Sequence, residues 1–179
     1  MNHDGVIDSN DQAPIGYNPV PEMTFSLAAG LNWKGIDFSI LLQGAARSSI
    51  YLQQDIAWDN FWGNYYEEHI GRWTPETAAT ATYPRFTKAA TPAHPNYYKS
   101  DYWLKDSKYL RLKNIQLGYT IPRKLLKKFG VRSLRVYANA YNLFTWDNVK
   151  KVDPESSNNS NGQFYPQQKV INFGINLNF

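Results

Sequence analysis

The first residues able to do chemistry stand at the start of the chain. Asn2-His3-Asp4-Gly5-Val6-Ile7-Asp8-Ser9-Asn10-Asp11 follows the calcium-loop pattern D-x-[DN]-x-[DN]-G, entered at its second ligand. On that register Asn2 is loop position 3 and Asp4 is position 5. Gly5 makes the sharp turn, Val6 offers its backbone carbonyl at 7, Ile7 anchors at 8, and Asp8 and Asp11 take 9 and 12. A hard cation needs several oxygens, and the two-residue spacing turns alternate side chains toward it. The position-1 aspartate would precede Met1, so one carboxylate is missing and any calcium affinity is expected to be weak. No other cofactor is expected. A loop entered part-way also implies that the chain begins inside a loop.

The second concentration of chemistry is aromatic. Between Tyr51 and Trp103 stand Tyr51, Trp58, Phe61, Trp62, Tyr65, Tyr66, Trp73, Tyr83, Phe86, Tyr97, Tyr98, Tyr102 and Trp103. Such rings can pack on sugar C–H faces or peptide side chains, and the candidate ligand residues are Trp58, Trp62, Tyr65, Tyr66 and Trp73. A long ordered loop must also bury part of itself, and that second use accounts for most of the thirteen. Glu67, Glu68, His69 and Arg72 beside Trp73 suggest an acid/base cluster. The three histidines, His3, His69 and His94, are scattered, and there is no HExxH, G-x-S-x-G or P-loop, so an enzyme is not expected.

Composition narrows the remaining classes. The chain has 179 residues, enough for about one domain, with 19 Lys+Arg against 15 Asp+Glu for a net charge of +4. No basic block is long enough to bind nucleic acid. Arg123, Lys124, Lys127, Lys128 and Arg132 cluster in one turn, more often a solvated turn, though a membrane-facing edge could set them against anionic head groups. Mean hydropathy is −0.56, and no apolar run reaches the roughly 18–20 residues of a spanning helix, which excludes a helical membrane protein. Cysteine is absent, and Met1 leads into Asn2-His3-Asp4 with no basic and apolar leader. Aromatic content of 16%, with 11 Gly and 10 Pro, points to an all-β chain with long loops.

Five segments alternate with period two and must position everything else. In 23–33 Phe25, Leu27, Ala29, Leu31 and Trp33 share a face; in 36–45 Ile36, Phe38, Ile40 and Leu42 do. A two-residue turn at Lys34-Gly35 sets Trp33 opposite Ile36 and closes the register. A third strand is expected over 109–121, where Leu110-Arg111-Leu112-Lys113 runs out of phase with Ile115, Leu117 and Tyr119, so a bulge falls near Lys113-Asn114. The fourth covers 133–144, and the fifth, 169–179, sets Ile171, Phe173, Ile175, Leu177 and Phe179 against Asn172, Gly174, Asn176 and Asn178. The expected organisation is a loop over 1–22 and β-barrel strands over 23–179, interrupted by a long loop at 46–108.

Alternation alone fits a soluble β-sandwich and a transmembrane barrel equally. Two details favour the membrane. The polar faces carry Asn, Ser, Gln, Gly and Thr rather than Lys and Glu, and Trp33, Tyr119, Phe144, Trp146 and Phe179 stand near strand ends, where interfacial girdles form. Short turns on one rim with long loops on the other are the barrel layout as well.

Asp4-Gly5-Val6-Ile7-Asp8, Asp11, Pro14-Ile15-Gly16, Pro19 and Pro21 resemble a stretch of the SusC/RagA-type TonB-linked outer-membrane proteins. The resemblance continues through Tyr102-Trp103-Leu104-Lys105-Asp106, Tyr109-Leu110-Arg111-Leu112-Lys113-Asn114 and Leu117-Gly118-Tyr119-Thr120-Ile121-Pro122. It runs on through Leu134-Arg135-Val136-Tyr137, Asn142-Leu143-Phe144-Thr145, Val152-Asp153-Pro154-Glu155, Tyr165-Pro166 and Asn178-Phe179, covering essentially the whole chain. It implies the C-terminal part of a large, plugged barrel in the outer membrane of a Gram-negative bacterium, with long extracellular loops. The parent would be a TonB-dependent importer of oligomeric nutrients, glycans or peptides, working with outer-membrane lipid, the TonB system and a SusD-like surface lipoprotein. Phe173, Ile175, Leu177 and Phe179 would then be its barrel-assembly signal. Signal sequence, TonB box, plug and earlier strands are not in this sequence, so the chain by itself is expected not to transport. The rival expectation is a soluble β-sandwich module binding carbohydrate through the aromatic loop.

Overall fold

A computed structural model describes residues 5, 9–61, 63–88, 94–149, 152–156 and 165–179. The strands are β1 (Met23–Trp33), β2 (Ile36–Ala46), β3 (Ser49–Tyr51), β4 (Leu104–Asp106), β5 (Tyr109–Thr120), β6 (Ser133–Asp147) and β7 (Val170–Asn178). One short helix, α1 (Arg123–Leu126), follows β5. No helix among the described residues is long and apolar enough to cross a membrane, which says nothing of strands.

The chain divides into two units: Pro21–Ala46, Lys108–Asn148 and Pro166–Phe179 form a sheet unit, and Met1–Val20, Arg47–Ser107 and Val149–Tyr165 form a loop unit. The sheet unit is a five-stranded antiparallel meander in the order β1-β2-β5-β6-β7. All five expected strands are present; β6 runs three residues past the expected 144 because Leu110 and Tyr109 of β5 still pair with Trp146 and Asp147. The β1–β2 turn is Lys34-Gly35 with φ of 48° and 89°, both left-handed, which matches the twist of the strands it joins and sets Trp33 opposite Ile36. The bulge falls where the phase of β5 reverses: Leu42 pairs with Leu112 and Leu41 with Asn114, leaving Lys113 over. β6 answers it at Asn142, whose φ of 51° turns the backbone locally.

With this register each face is continuous. One carries Phe25, Leu27, Leu31 and Trp33 of β1, then Ile36, Phe38, Ile40 and Leu42 of β2. Leu112, Ile115, Leu117 and Tyr119 of β5 lie beside them, followed by Val136, Ala138, Ala140 and Phe144 of β6 and by Ile171, Phe173, Ile175 and Leu177 of β7. The other carries Thr24, Ser26, Asn32, Asp37, Ser39, Gln43, Gln116, Arg135, Asn139, Asn172 and Asn176.

The loop unit builds its own core. Ile50, Leu52, Ala57, Trp58, Tyr83, Tyr97, Trp103 and Val149 are buried together, with Tyr51, Ile56, Phe61, Phe86 and Val152 packed around them. β3 pairs with β4, so the two ends of the long excursion meet. Just outside that ladder the Ser107 amide donates to the Ser48 carbonyl at 3.0 Å, and the Ser107 hydroxyl donates to Ser48 Oγ at 2.8 Å. The segment before β1 is drawn into the same unit, the Tyr17 amide donating to Ser49 Oγ at 2.9 Å. Three chain segments thus make up this unit: 47–107 and 149–165 supply its core, and 1–20 joins them through hydrogen bonds.

Candidate functional site

In the loop unit the geometry is set by a buried carboxylate. Asp59 accepts hydrogen bonds from the Tyr97 hydroxyl on Oδ1 and from the Thr87 amide on Oδ2 at 3.2 Å. Tyr83 Oη lies 3.2 Å from Oδ1 and 2.9 Å from the Ala57 carbonyl, and it accepts from the Asp59 amide at 3.0 Å. Burial first, and then the Asp59 carboxylate, push the Tyr83 and Tyr97 hydroxyls well above the ordinary tyrosine range. Both phenols stay neutral donors and tie 57–59, 83–87 and 97 into one knot. Trp103 donates from Nε1 to the Asn96 carbonyl at 2.9 Å and stacks on Tyr97 with centroids 6.2 Å apart.

The expected ligand residues separate here. Trp58 is 2% exposed, tilted over Tyr97 at 4.7 Å and edge-on to Phe61 at 5.8 Å. It is a core residue and cannot reach a ligand without unfolding the unit, which corrects its assignment. Tyr65 is 57% exposed, and Tyr66 and Trp73 are part-exposed. Trp62 lies outside the described residues. Tyr65 and Tyr66 both present edges to His69, with centroids 6.0 and 5.5 Å away, and Tyr65 also leans on Phe86 at 5.6 Å. Arg72 also lies over Phe86, its Cζ 5.1 Å from the ring centroid. This yields a shallow aromatic surface with a guanidinium beside it, suited to stacking and weak hydrogen bonding. Trp73 follows Arg72 in the chain, its amide donating to the Tyr83 carbonyl at 2.9 Å.

His69 is not an acid/base residue in this arrangement. It is buried; its Nδ1 accepts from the Tyr66 amide at 3.0 Å, so Nε2 carries the proton and donates to the Ala57 carbonyl at 3.2 Å. Both ring nitrogens are spent on backbone. Of the expected calcium ligands, Asn2, Asp4, Val6 and Asp8 lie outside the described residues, while Asp11 closes a short 3-10 turn, Ser9–Asp11. Among the described residues no three His, Cys, Asp or Glu gather to hold a metal.

The polar face of the sheet unit carries a bridge that alternation alone did not single out. Arg135 of β6 reaches across β5 to Asp37 of β2, Nε donating to Oδ1 at 2.9 Å and Nη2 to Oδ2, while Gln116 Nε2 donates to Oδ2 at 3.5 Å. The residue in between is Gly118; a Cβ there would stand 2.5 Å from both Asp37 Oδ1 and Arg135 Nη2. The guanidinium lies over Tyr137 at 4.8 Å, and the Tyr137 ring covers Gly174 of β7. Asn172 donates to Asn139 Oδ1 at 3.0 Å, and Asn178 to Ser133 Oγ at 2.7 Å. Once the hairpin fixes the register, an Asp and an Arg on one face astride a glycine are the signal that could have found this bridge.

The apolar face has the opposite character. Phe173, Ile175, Leu177 and Phe179, expected to form an assembly signal, are all exposed, Phe173 to 82%, and so is Ile171 beside them. Leu27, Leu31, Trp33, Leu117, Phe144 and Trp146 are exposed with them. At one rim Lys34 Nζ sits 4.8 Å over the Trp33 ring; at the other, Phe144 and Trp146 stack at 6.1 Å. The face has an aromatic girdle at each end.

No protein-family model matches the chain. TonB-dependent receptor P26 of Formosa agariphila is 30% identical over 197 residues, covering 99% of this chain and 19% of the relative. TonB-dependent receptor SusC of Bacteroides thetaiotaomicron is 27% identical over 180 residues, covering 99% of this chain and 17% of its own length. In fold, the chain is similar to a chain of the RagAB peptide importer in its open-open state, with a TM-score of 0.70 and 23% identity over 97% of this chain and 19% of that one. The RagAB peptide transporter gives 0.73 and 22% identity, over 96% of this chain and 19% of that one. This chain therefore spans about a fifth of the length of the curated relatives it matches. Its likeness to SusC/RagA-type TonB-dependent proteins extends over nearly all of its residues.

Proposed function

We propose that the chain is the C-terminal barrel wall, with outer loops, of a SusC/RagA-type TonB-dependent importer in the outer membrane of a Gram-negative bacterium. The single observation that carries this reading is the sheet itself: one face continuously apolar and exposed along β1 and β7, the other bridged by its own polar groups. A soluble monomer seldom exposes a contiguous apolar patch beyond a few hundred Å², whereas a barrel wall must show one to lipid. The importer takes up oligomeric nutrients, glycans or peptides, and the Tyr65–Tyr66–Arg72 surface with Trp73 offers rings for sugar faces or apolar side chains. Outer-membrane lipid, a SusD-like lipoprotein and the TonB system act on the full-length parent, and transport is a property of that parent. Asn2, Asp4, Val6, Asp8 and Asp11 would hold a calcium ion weakly, one carboxylate short of a full loop.

The test is extraction and sizing. The chain should be monodisperse only in detergent micelles; a monodisperse monomer in plain buffer would sink the barrel reading in favour of a soluble sandwich. For the substrate, the full-length importer carrying Tyr65→Ala with Trp73→Ala should lose uptake of one oligomer class and keep its expression.

A further inference from the structure

Between Asp106 and Asp147 the sequence contains no acidic residue, while Lys108, Arg111, Lys113, Arg123, Lys124, Lys127, Lys128, Arg132 and Arg135 all fall within it. Five of these nine cations lie in the turn between β5 and β6, and all five are exposed. The turn is not an unstructured loop. Arg123–Leu126 is helical, Lys127–Phe129 continues as a 3-10 turn, and Gly130 ends it with φ of 70° in the left-handed region. The turn is anchored to the sheet unit at both ends, by the Ile121 amide on the Leu134 carbonyl at 2.8 Å and the Arg132 amide on the Asn178 carbonyl at 2.8 Å.

Within it the apolar residues divide. Leu126 is buried, but Leu125 and Phe129, four apart and therefore on one side of the turn, are 65% and 76% exposed. Two large apolar side chains standing free among five cations have no use in water. Their place in the fold supplies one: the register puts this turn on the rim that also carries Trp33, Lys34 and Tyr119, where the apolar face ends. The turn thus brings Leu125 and Phe129, with the five cations around them, to the rim at which the apolar face ends.

We infer that the β5–β6 turn is a docking element for anionic phospholipid, Leu125 and Phe129 entering the acyl boundary while Arg123, Lys124, Lys127, Lys128 and Arg132 meet head-group phosphates. Amphipathic segments with this division of residues bind at the interface, and basic residues there gain from anionic lipid. The inference rests on the barrel-wall reading, and its test is built to fail separately from it.

Because the chain has no cysteine, single Phe129→Cys and Phe173→Cys variants of the full chain can each carry an environment-sensitive fluorophore. They are compared in vesicles of phosphatidylcholine alone and of phosphatidylcholine with phosphatidylglycerol. The position-173 label should report an apolar setting in both. The position-129 label should report one that deepens with phosphatidylglycerol and retreats with added salt. Lys124→Gln with Lys128→Gln should lower partitioning into the anionic vesicles about 30-fold, about fivefold per lysine, and leave the neutral vesicles unchanged. A lipid-immersed position 173 with a water-exposed position 129, or a position 129 indifferent to lipid charge, overturns the docking element and leaves the wall reading standing. A water-exposed position 173 overturns both. Displacement by inorganic phosphate beyond that of chloride at equal ionic strength would assign the turn to free phosphate and overturn the lipid assignment.

Discussion

Asp59 decides how the loop unit holds together. A buried carboxylate is costly unless its oxygens are satisfied, and Asp59 meets that demand with the Tyr97 hydroxyl and the Thr87 amide, with Tyr83 Oη close by. Asp59→Ala leaves those donors facing a void and should destabilise the loop unit by about 3 kcal/mol, a size typical of bonds to a charged group. Asp59→Asn, which keeps an acceptor, should cost less; denaturant titration followed by tryptophan emission distinguishes them. The phenols add a pH dependence of definite sign. Burial and the neighbouring carboxylate raise Tyr83 and Tyr97 in the folded state, so they hold their protons more tightly there than in the unfolded chain. Their contribution is complete below the free tyrosine value near ~10 and is lost as pH rises above it. Tyrosinate absorbance should therefore lag in an alkaline titration and then rise together with loss of the unit's near-ultraviolet dichroism. A smooth titration at the free value would contradict the buried pair. Trp58 shows why the site was only half legible at this scale: Trp58 and Tyr65 are equally aromatic in the sequence, and which one points inward depends on partners, Tyr97 and Phe61 for the first, that a long irregular loop brings together without any period to read.

At the scale of elements the strands were legible because period two is both the signal and the structure. The out-of-phase half of β5 was resolved by a bulge at Lys113, and Lys34-Gly35 by parity alone. β3 and β4 escaped because three-residue strands carry no measurable alternation, and their pairing is fixed by Ser48, Ser107 and the core beneath. Two glycines in the sheet are testable here. Gly35 has φ of 89°, and a Cβ on it would stand 2.7 Å from the Thr120 carbonyl oxygen, so Gly35→Ala should cost about 1–3 kcal/mol through strain. Gly118→Ala puts a methyl group into the Asp37–Arg135 bridge and should cost about as much, since overpacking forces the pair apart. If that mechanism is right, Gly118→Ala placed on Asp37→Asn with Arg135→Gln should cost clearly less than on the unmodified chain. Denaturant midpoints in detergent micelles measure both, and equal penalties in the two backgrounds would mean that the bridge is not what Gly118 makes room for.

For the whole molecule, the question is which solvent each face of the sheet meets. A soluble protein hides apolar strand faces against a second layer; here Leu27, Leu31, Leu117, Ile171, Phe173 and Ile175 remain exposed while the polar face is occupied by its own bridges. On β6 the apolar face runs from Leu134 to Trp146, about 40 Å at ~3.3 Å per residue, or about 30 Å at a tilt of ~40°. That is the thickness of a bilayer's hydrocarbon core, about 30 Å. Lipid on one face and a wet lumen on the other make opposite demands on neighbouring residues, and a charge can report them. Ile171 pairs with Ala140, which pairs with Ile115, which pairs with Ile40, a row near the middle of the strands between the two aromatic girdles. Ile171→Lys should therefore cost about 2–4 kcal/mol in vesicles, the penalty for a cation near the bilayer midplane. Leu177→Lys, near the rim, should cost no more than about 1 kcal/mol by the same depth dependence. Asn172→Lys, one residue from Ile171 but on the polar face, should cost nearly nothing in lipid beyond its bond to Asn139. Titrating the three variants in vesicles gives the order Ile171 > Leu177 ≥ Asn172 for a membrane wall. In water the apolar face would be wet, Ile171→Lys would improve solubility without loss, and the order would collapse.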